Sequence, residues 1–417
     1  MSVKSIYRSL SSDKKVRKEF LKIVECFEYI DSVSRGKYNK AESVKLKLRI
    51  HSFLSRCVAN GGDLNLQESN GRNLLFHAAS KLQKEFVQEL CEFKVDMNRK
   101  DLNGSFPLLN AVDKLNSEVA VCLIGNGADV NMQDSKGKTA LMQCIIERNV
   151  TIFDKLMETK KCKLDLQDEK GLTALHLVIM FCKRHPSGAH FLGSLIEQKA
   201  SVTIVDCEGK SPLVKCIETK NMWGIDALLI VMKKEEINKT YNNLSYLAYS
   251  VSIGEIDVAI AMIKNHSPHL IDLNATFHPG ENVFPLAVES NSLPLVKELA
   301  ENGCDFRSPH PLGYYTIEHA FHESNIKPGF DVNIIKYFID KYLALGDMTF
   351  MLEKLAGNKC SEYVINFCGK NTDTRAKIGG AYKSQFMLLA ENRAHLLNNF
   401  YNFGGYDLIN LFITYLC

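Results

Sequence analysis

Apolar residues return along this chain in a fixed cadence. Leu75, Leu108, Leu141, Leu175 and Leu213 each stand four residues after a glycine, and those glycines (Gly71, Gly104, Gly137, Gly171, Gly209) are 33, 33, 34 and 38 residues apart. The polar positions are as regular. Asp101-Leu-Asn-Gly104, Asp134-Ser-Lys-Gly137, Asp168-Glu-Lys-Gly171 and Asp206-Cys-Glu-Gly209 are four copies of one turn, preceded by a degenerate copy, Glu68-Ser-Asn-Gly71. Just before the leucine comes Thr139-Ala140, Thr173-Ala174 or Ser211-Pro212. Thr or Ser caps a helix through its hydroxyl, and alanine or proline suits the first helical turn. Each unit then closes on Gly127-Ala-Asp-Val-Asn131 or a relative such as Asp63-Leu-Asn65, Val95-Asp-Met-Asn98 or Leu164-Asp-Leu166. The pattern predicts turn, short helix, longer helix, loop. A period of this size marks a stacked array, because one such unit cannot bury its own apolar face.

Gly171-Leu-Thr-Ala-Leu-His176 and Gly127-Ala-Asp-Val-Asn131 resemble the ankyrin repeat, whose signature runs Asp-x-x-Gly-x-Thr-Pro-Leu-His, a second helix, then Gly-Ala-Asp-Val-Asn. Past residue 240 the signature decays while the spacing survives. Asn243-Leu-Ser-Tyr-Leu247, Asn282-Val-Phe-Pro-Leu286 and Gly313-Tyr-Tyr-Thr-Ile317 keep the offset from turn to aliphatic residue. Asparagine stands in two of these turns as the best non-glycine residue at positive φ. The expected fold is all-α: an ankyrin-repeat solenoid of helix-turn-helix units with helical N- and C-terminal caps. Residues 1–42 read as a basic N-terminal helical cap. Residues 43–345 read as the array, a half unit plus eight repeats beginning near Glu68, Asp101, Asp134, Asp168, Asp206, Thr240, Pro279 and His310. Residues 346–417 read as a helical cap or a small docking module.

Composition changes this picture little. The 417 residues are 46% apolar, ample for a large folded body. Thirteen cysteines raise the question of disulfides, but Cys144 and Cys216 occupy a first-helix slot held by Ala78 and Ala111 in other units, so they read as small buried residues. No CxxC pair occurs, and abundant unpatterned thiols point to a reducing compartment. The N-terminus is charged and lacks the apolar core of a signal peptide, and the longest apolar run, Leu175 to Cys182, is too short to cross a bilayer. The expected location is the cytoplasm, with the nucleus as the alternative. Net charge is +3 but uneven: residues 1–50 carry +7 and the remainder −4. The run Lys14-Lys15-Val-Arg17-Lys18 is therefore either the solvated face of a capping helix or a contact for an acidic partner.

Catalytic signatures are missing. Gly125-Asn-Gly127 lacks a third glycine and follows a helix, so it reads as a helix end, and no GxxxxGK[ST], GxSxG or HExxH occurs. Glu318-His319-Ala-Phe-His322-Glu323 sets two histidines on one helical face but shows no further ligand set in the sequence. No metal and no cofactor are expected, and the chain reads as non-enzymatic. Cys182-Lys-Arg-His-Pro-Ser-Gly-Ala-His190 lengthens its unit by about four residues, which predicts a basic loop.

The resemblance implies a scaffold or adaptor that binds one or more proteins on a concave side built from turn tips and first helices. It implies a structural role for His77 and His176. By position, the partner-binding residues are Arg72, Leu102, Asn103, Lys136, Lys138, Glu147, Glu169, Lys170, Leu172, Met180, Phe181, Glu208 and Lys210. Leu102, Leu172, Met180 and Phe181 stand out as apolar side chains where the fold asks for none. Two other readings remain. One is a regulatory or pathogen-type effector whose C-terminal module recruits other machinery. The other is nucleic-acid or anionic-lipid binding through the basic N-terminal helix, with nucleic acid the weaker expectation.

Overall fold

The computed structural model describes residues 40–347, apart from short segments at 60–62, 66, 68–69, 81–83, 267–269, 278–279, 281, 308 and 310–313. The basic run at 14–18, the repeat starts at Glu68, Pro279 and His310, and all but the first two residues of the 346–417 segment lie outside it. What is described divides into two compact units between Gly224 and Ile225.

The first unit opens with α1 (Lys40–Ala59) and continues as helix pairs: α2 (Leu74–Ser80) with α3 (Lys84–Glu92), α4 (Pro107–Asp113) with α5 (Ser117–Gly125), α6 (Ala140–Ile146) with α7 (Val150–Glu158), and α8 (Ala174–Phe181) with α9 (Ser187–Glu197). Helix α10 (Pro212–Glu218) follows, and the division falls within α11 (Met222–Val231). First helices stack in one row, α2 on α4 on α6 on α8 on α10, and second helices in another, from α1 through α3, α5 and α7 to α9.

Local chemistry sets these helix starts as the sequence predicts. The Thr139 hydroxyl accepts from the Met142 amide at 3.1 Å, and Ser211 accepts from Val214 at 3.4 Å. Thr173 works through His176: Nδ1 accepts from the Thr173 amide at 3.2 Å and lies 2.9 Å from its hydroxyl, while Nε2 reaches the Lys210 carbonyl at 3.2 Å. That set makes Nδ1 the acceptor and Nε2–H the donor, a neutral ring. Burial, the largest influence, holds its pKa below the ordinary value. The expected structural role of His176 is thus its observed one.

All five repeat leucines are buried, as are Cys144 and Cys216. Eight of the cysteines between Cys91 and Cys304 are free thiols. Phe153 and Phe191 pack ring to ring at 4.4 Å between α7 and α9, and burying side chains of this size contributes about 2–3 kcal/mol each. A carboxylate also lies in this core: Glu89 has no solvent exposure, the Lys47 ammonium of α1 stands 3.4 Å from it, and His51 Nδ1 of the same helix lies 2.9 Å away.

The extended 182–190 stretch is a correction to the expected loop. Only residues 182–186 are loop; Ser187 to His190 begin α9, which has 11 residues where α5 and α7 have 9. His185 Nδ1 meets the Ser187 hydroxyl at 2.7 Å at this helix start. Lys183 is tied down, its Nζ donating to the Thr219 carbonyl and its own carbonyl accepting from Trp223 Nε1, both at 2.7 Å.

The second unit contains α12 (Lys234–Ile237), then a hairpin of β1 (Thr240–Tyr241) and β2 (Leu244–Ser245), antiparallel with Thr240 opposite Ser245. Three helix pairs follow: α13 (Tyr246–Ser252) with α14 (Ile256–His266), α15 (Val283–Glu289) with α16 (Leu293–Glu301), and α17 (Thr316–Ile326) with α18 (Asn333–Leu345). First helices again contact first helices, and second contact second. Asn242 and Asn243 take φ of +52° and +63°, the role expected of Asn243. Asn282 does not match that expectation. Its φ is −91°, and it caps α15 by accepting from the Phe284 amide at 3.1 Å. The register there is displaced by two residues: Gly280 takes the positive φ, at +115°, and Phe284 rather than Leu286 is the fully buried residue.

Candidate partner-binding surface

The turn tips of the first unit share one construction. The first aspartate turns its Oδ1 back onto the amides two and four residues on. Asp101 accepts from Asn103 and Ser105 at 3.0 and 2.9 Å, Asp134 from Lys136 and Lys138 at 2.9 and 2.8 Å, Asp168 from Lys170 and Leu172 at 2.9 Å each, and Asp206 from Glu208 and Lys210 at 2.9 Å each. The chain reverses at the glycine, with φ between +73° and +76° in these four turns.

Successive tips are also bonded to one another. Leu102 N–H donates to the Asn70 carbonyl at 2.8 Å, Glu169 to Lys136 at 2.8 Å, and Cys207 to Lys170 at 3.0 Å, while the Ser135 hydroxyl donates to the Asn103 carbonyl at 2.8 Å. A second ladder runs along the loops. Asn65, Asn98 and Asn131 accept through Oδ1 from Asp96, Asp129 and Lys163 at 2.7, 2.9 and 2.7 Å. These bonds satisfy loop backbone that would otherwise lack partners.

This frame sorts the predicted residues. Asn103, Lys136, Glu169 and Lys170 have their backbones fixed in the ladder and their side chains exposed. Leu102 projects from its tip with 77% exposure, and Phe181, the last residue of α8, is 43% exposed. Met180 is half-buried, and Glu147 is exposed with Gln143 donating to it at 3.2 Å. Leu172 is a correction: at 7% exposure its side chain belongs to the core, because the residue that closes the Asp168 turn points inward. Its apolar character needs no partner, and Leu172→Ala becomes a core truncation.

Two of the predicted cations are structural. Arg72 Nε holds Asp101 Oδ2 at 3.1 Å, with its guanidinium 4.5 Å from the Phe76 ring centre. Lys210 bridges Glu218 and Glu208 at 2.9 Å each, and those two hydrogen bonds raise its pKa. Half-buried Lys138 closes the Asp134 turn through its backbone amide. Asp206 is held similarly, by Lys215, whose role no sequence pattern marks: burial works to raise the Asp206 pKa, but Lys215 at 2.8 Å and the turn amides bring it below the ordinary value.

Two further exposed residues stand at the end of the first helix α4, and of these Leu115 was missed. Leu115 is 57% exposed and takes φ of +56°, a left-handed position that glycine or asparagine fills at lower energy. A leucine following helix α4 where a turn residue belongs was the available signal. Asp113 lies near Glu147, and its carboxyl titrates above the ordinary value through desolvation first and the Glu147 charge second.

Paired helices, hydroxyl-capped first helices and tips bonded in series define a stacked helix-pair repeat. A family model of ankyrin repeats matches residues 44–134 and 108–193, in three copies. This part of the chain is built of ankyrin repeats, a protein–protein interaction module. No curated protein matches the chain. Among the described residues no helix is long and apolar enough to cross a membrane.

Proposed function

We propose that the row of turn tips and first-helix ends in the first unit docks a protein, and that the chain acts as a non-catalytic scaffold or adaptor. The observation that carries this reading is the exposure of Leu102, Leu115 and Phe181, at 77%, 57% and 43%, on a frame whose polar groups are already committed to holding the repeats together. The fold gains nothing from leaving them in water, and at a partner surface an exposed aromatic is a common anchor. The Asp113–Glu147 neighbourhood adds a charge preference. A lysine or arginine of the partner relieves the repulsion recorded in the raised Asp113 carboxyl. The partner is therefore a protein that presents an apolar side chain beside a cation, in the cytoplasm or nucleus. The alternative readings through the basic N-terminal run and the C-terminal module fall on residues outside the described part.

Phe181→Ala tests the reading. Partners retained on the immobilised full-length chain are identified and the strongest is purified. The variant is expected to keep the wild-type circular dichroism and to bind that partner about 2 kcal/mol more weakly, about 30-fold. Equal affinity for Phe181→Ala and for Leu102→Ala removes the surface from consideration.

A further inference from the structure

The sequence sets His319 and His322 one helical turn apart with Glu318 and Glu323 beside them. The folded second unit adds to them. Ligand atoms of His319, His322 and Glu323 all lie within 4.8 Å of one another on α17. Helix α15 of the preceding pair contributes Glu289, whose Oε1 is 3.3 Å from His319 Nε2. That nitrogen is buried and has no hydrogen bond, so the carboxylate faces it without the alignment of a donor–acceptor pair. The two imidazole rings are close to parallel, with 17° between their planes and 6.4 Å between centres, and Tyr314 stacks on the outer side of His319 at 5.3 Å. Glu318 is not part of the group, because it turns back to accept from the Tyr315 amide at 2.6 Å and caps α17.

Four donors about 2.0–2.2 Å from a tetrahedral zinc ion stand about 3.3–3.6 Å from each other. The His319–Glu289 separation of 3.3 Å and the His322 Nδ1 to Glu323 Oε1 separation of 3.7 Å already match such edges. Two imidazoles with carboxylates form a borderline donor set suited to zinc rather than to calcium or magnesium. The other group of this kind among the described residues, His51 with Glu89 and Glu92, differs in one respect. There the Lys47 ammonium already sits 3.4 Å from Glu89 and 3.2 Å from Glu92, occupying the place of a cation.

We infer that His319, His322 and Glu323, with Glu289 as the fourth donor, form a zinc site that clips α17 to α15. Such a site ties two neighbouring first helices together without using the turn-tip bonds of the first unit. It makes the stability of this part of the chain depend on the metal.

The test uses the full-length chain and Co²⁺ as a spectroscopic stand-in for zinc. Wild type is expected to take up one equivalent with the visible bands of a tetrahedral nitrogen–oxygen site and without a thiolate charge-transfer band. Zn²⁺ should compete for that equivalent and raise the unfolding midpoint. His322 is exposed, so His322→Ala is expected to keep its fold by circular dichroism and lose both the cobalt bands and the zinc-induced shift. Glu323→Gln serves as a second variant with smaller steric change and is expected to weaken uptake at least tenfold. A thiolate band, uptake unchanged in both variants, or no uptake by wild type overturns the assignment.

Discussion

Among the described residues, the contacts that join neighbouring helix pairs differ between the two units. In the first, neighbouring turns are sewn backbone to backbone, as where Cys207 N–H donates to the Lys170 carbonyl at 3.0 Å. In the second, whose turn tips at 278–281 and 310–313 fall mostly outside the described residues, aromatic rings pack between the pairs. Phe306 meets Tyr342 edge to face at 5.2 Å and Phe338 at 5.8 Å, and Phe284 lies 6.0 Å from both Phe306 and Phe338. One feature is common to both: an asparagine takes the amide of the following loop, Asn98 from Asp129 at 2.9 Å in the first unit and Asn274 from Asp305 in the second at 2.6 Å. Backbone-to-backbone turns demand an aspartate at one position and a glycine at another, so they leave a strong imprint on the sequence. Aromatic burial demands only size and apolarity, so the imprint fades past residue 240 while the stacking continues.

The largest expected effect breaks the aromatic side of this comparison. Phe338 has no solvent exposure, and Phe338→Ala is expected to destabilise the second unit by about 3–5 kcal/mol in denaturant titration followed by circular dichroism. A loss under about 1 kcal/mol would mean that the ring cluster does not hold the unit together.

The next effect tests the sewn turns. A Cβ on Gly171 would stand 2.7 Å from the Cys207 nitrogen, whereas at Gly209 no described heavy atom lies within 4 Å. Both glycines have similar positive φ, +74° and +76°. Gly209→Ala should therefore cost about 1 kcal/mol from backbone strain alone, and Gly171→Ala about 2–3 kcal/mol because the neighbouring turn must also shift. Trp223, the chain's single tryptophan, lies in the first unit and reports the difference by fluorescence. Equal losses at the two positions would show that turn-to-turn contact adds nothing beyond the glycine conformation.

The smallest effect is a pH dependence at His176. Its folded pKa lies below the ordinary 6.5, so the folded state resists the proton that the unfolded chain accepts. The stability contribution is complete above the unfolded pKa and is lost as the pH falls below it. Thermal midpoints measured at about pH 7.5 and about pH 5.5 should fall further for wild type than for His176→Gln, which has no titrating ring. Parallel slopes would assign the acid sensitivity to other groups.

Much of the array was legible because its positions are governed by local backbone chemistry. Thr139, Ser211 and the turn aspartates do what their spacing predicts, since a cap or a turn is made within about five residues. Register failed at Asn282 because asparagine serves both as a helix cap and as a left-handed turn residue, and spacing alone does not separate the two. Leu172 was misjudged because the turn-closing residue faces inward, a direction that depends on the next turn stacking against it. The surface was only partly legible for the same reason. Phe181 stands out because it breaks the polar trend at a helix end, but Arg72 is recognisable as structural only once Asp101 comes into place from the next turn, and Lys210 only once Glu218 does from the end of its own first helix.

The sequence by itself determined the repeat, the helix starts, the glycine turns and the all-α class, because each follows from residues close together along the chain. Tertiary structure alone decided which charges are spent on holding repeats together, which apolar side chains remain in water, and that Glu289 stands 3.3 Å from a histidine thirty residues on. Those outcomes depend on contacts between residues about one repeat apart, and a linear pattern gives their spacing without giving their direction.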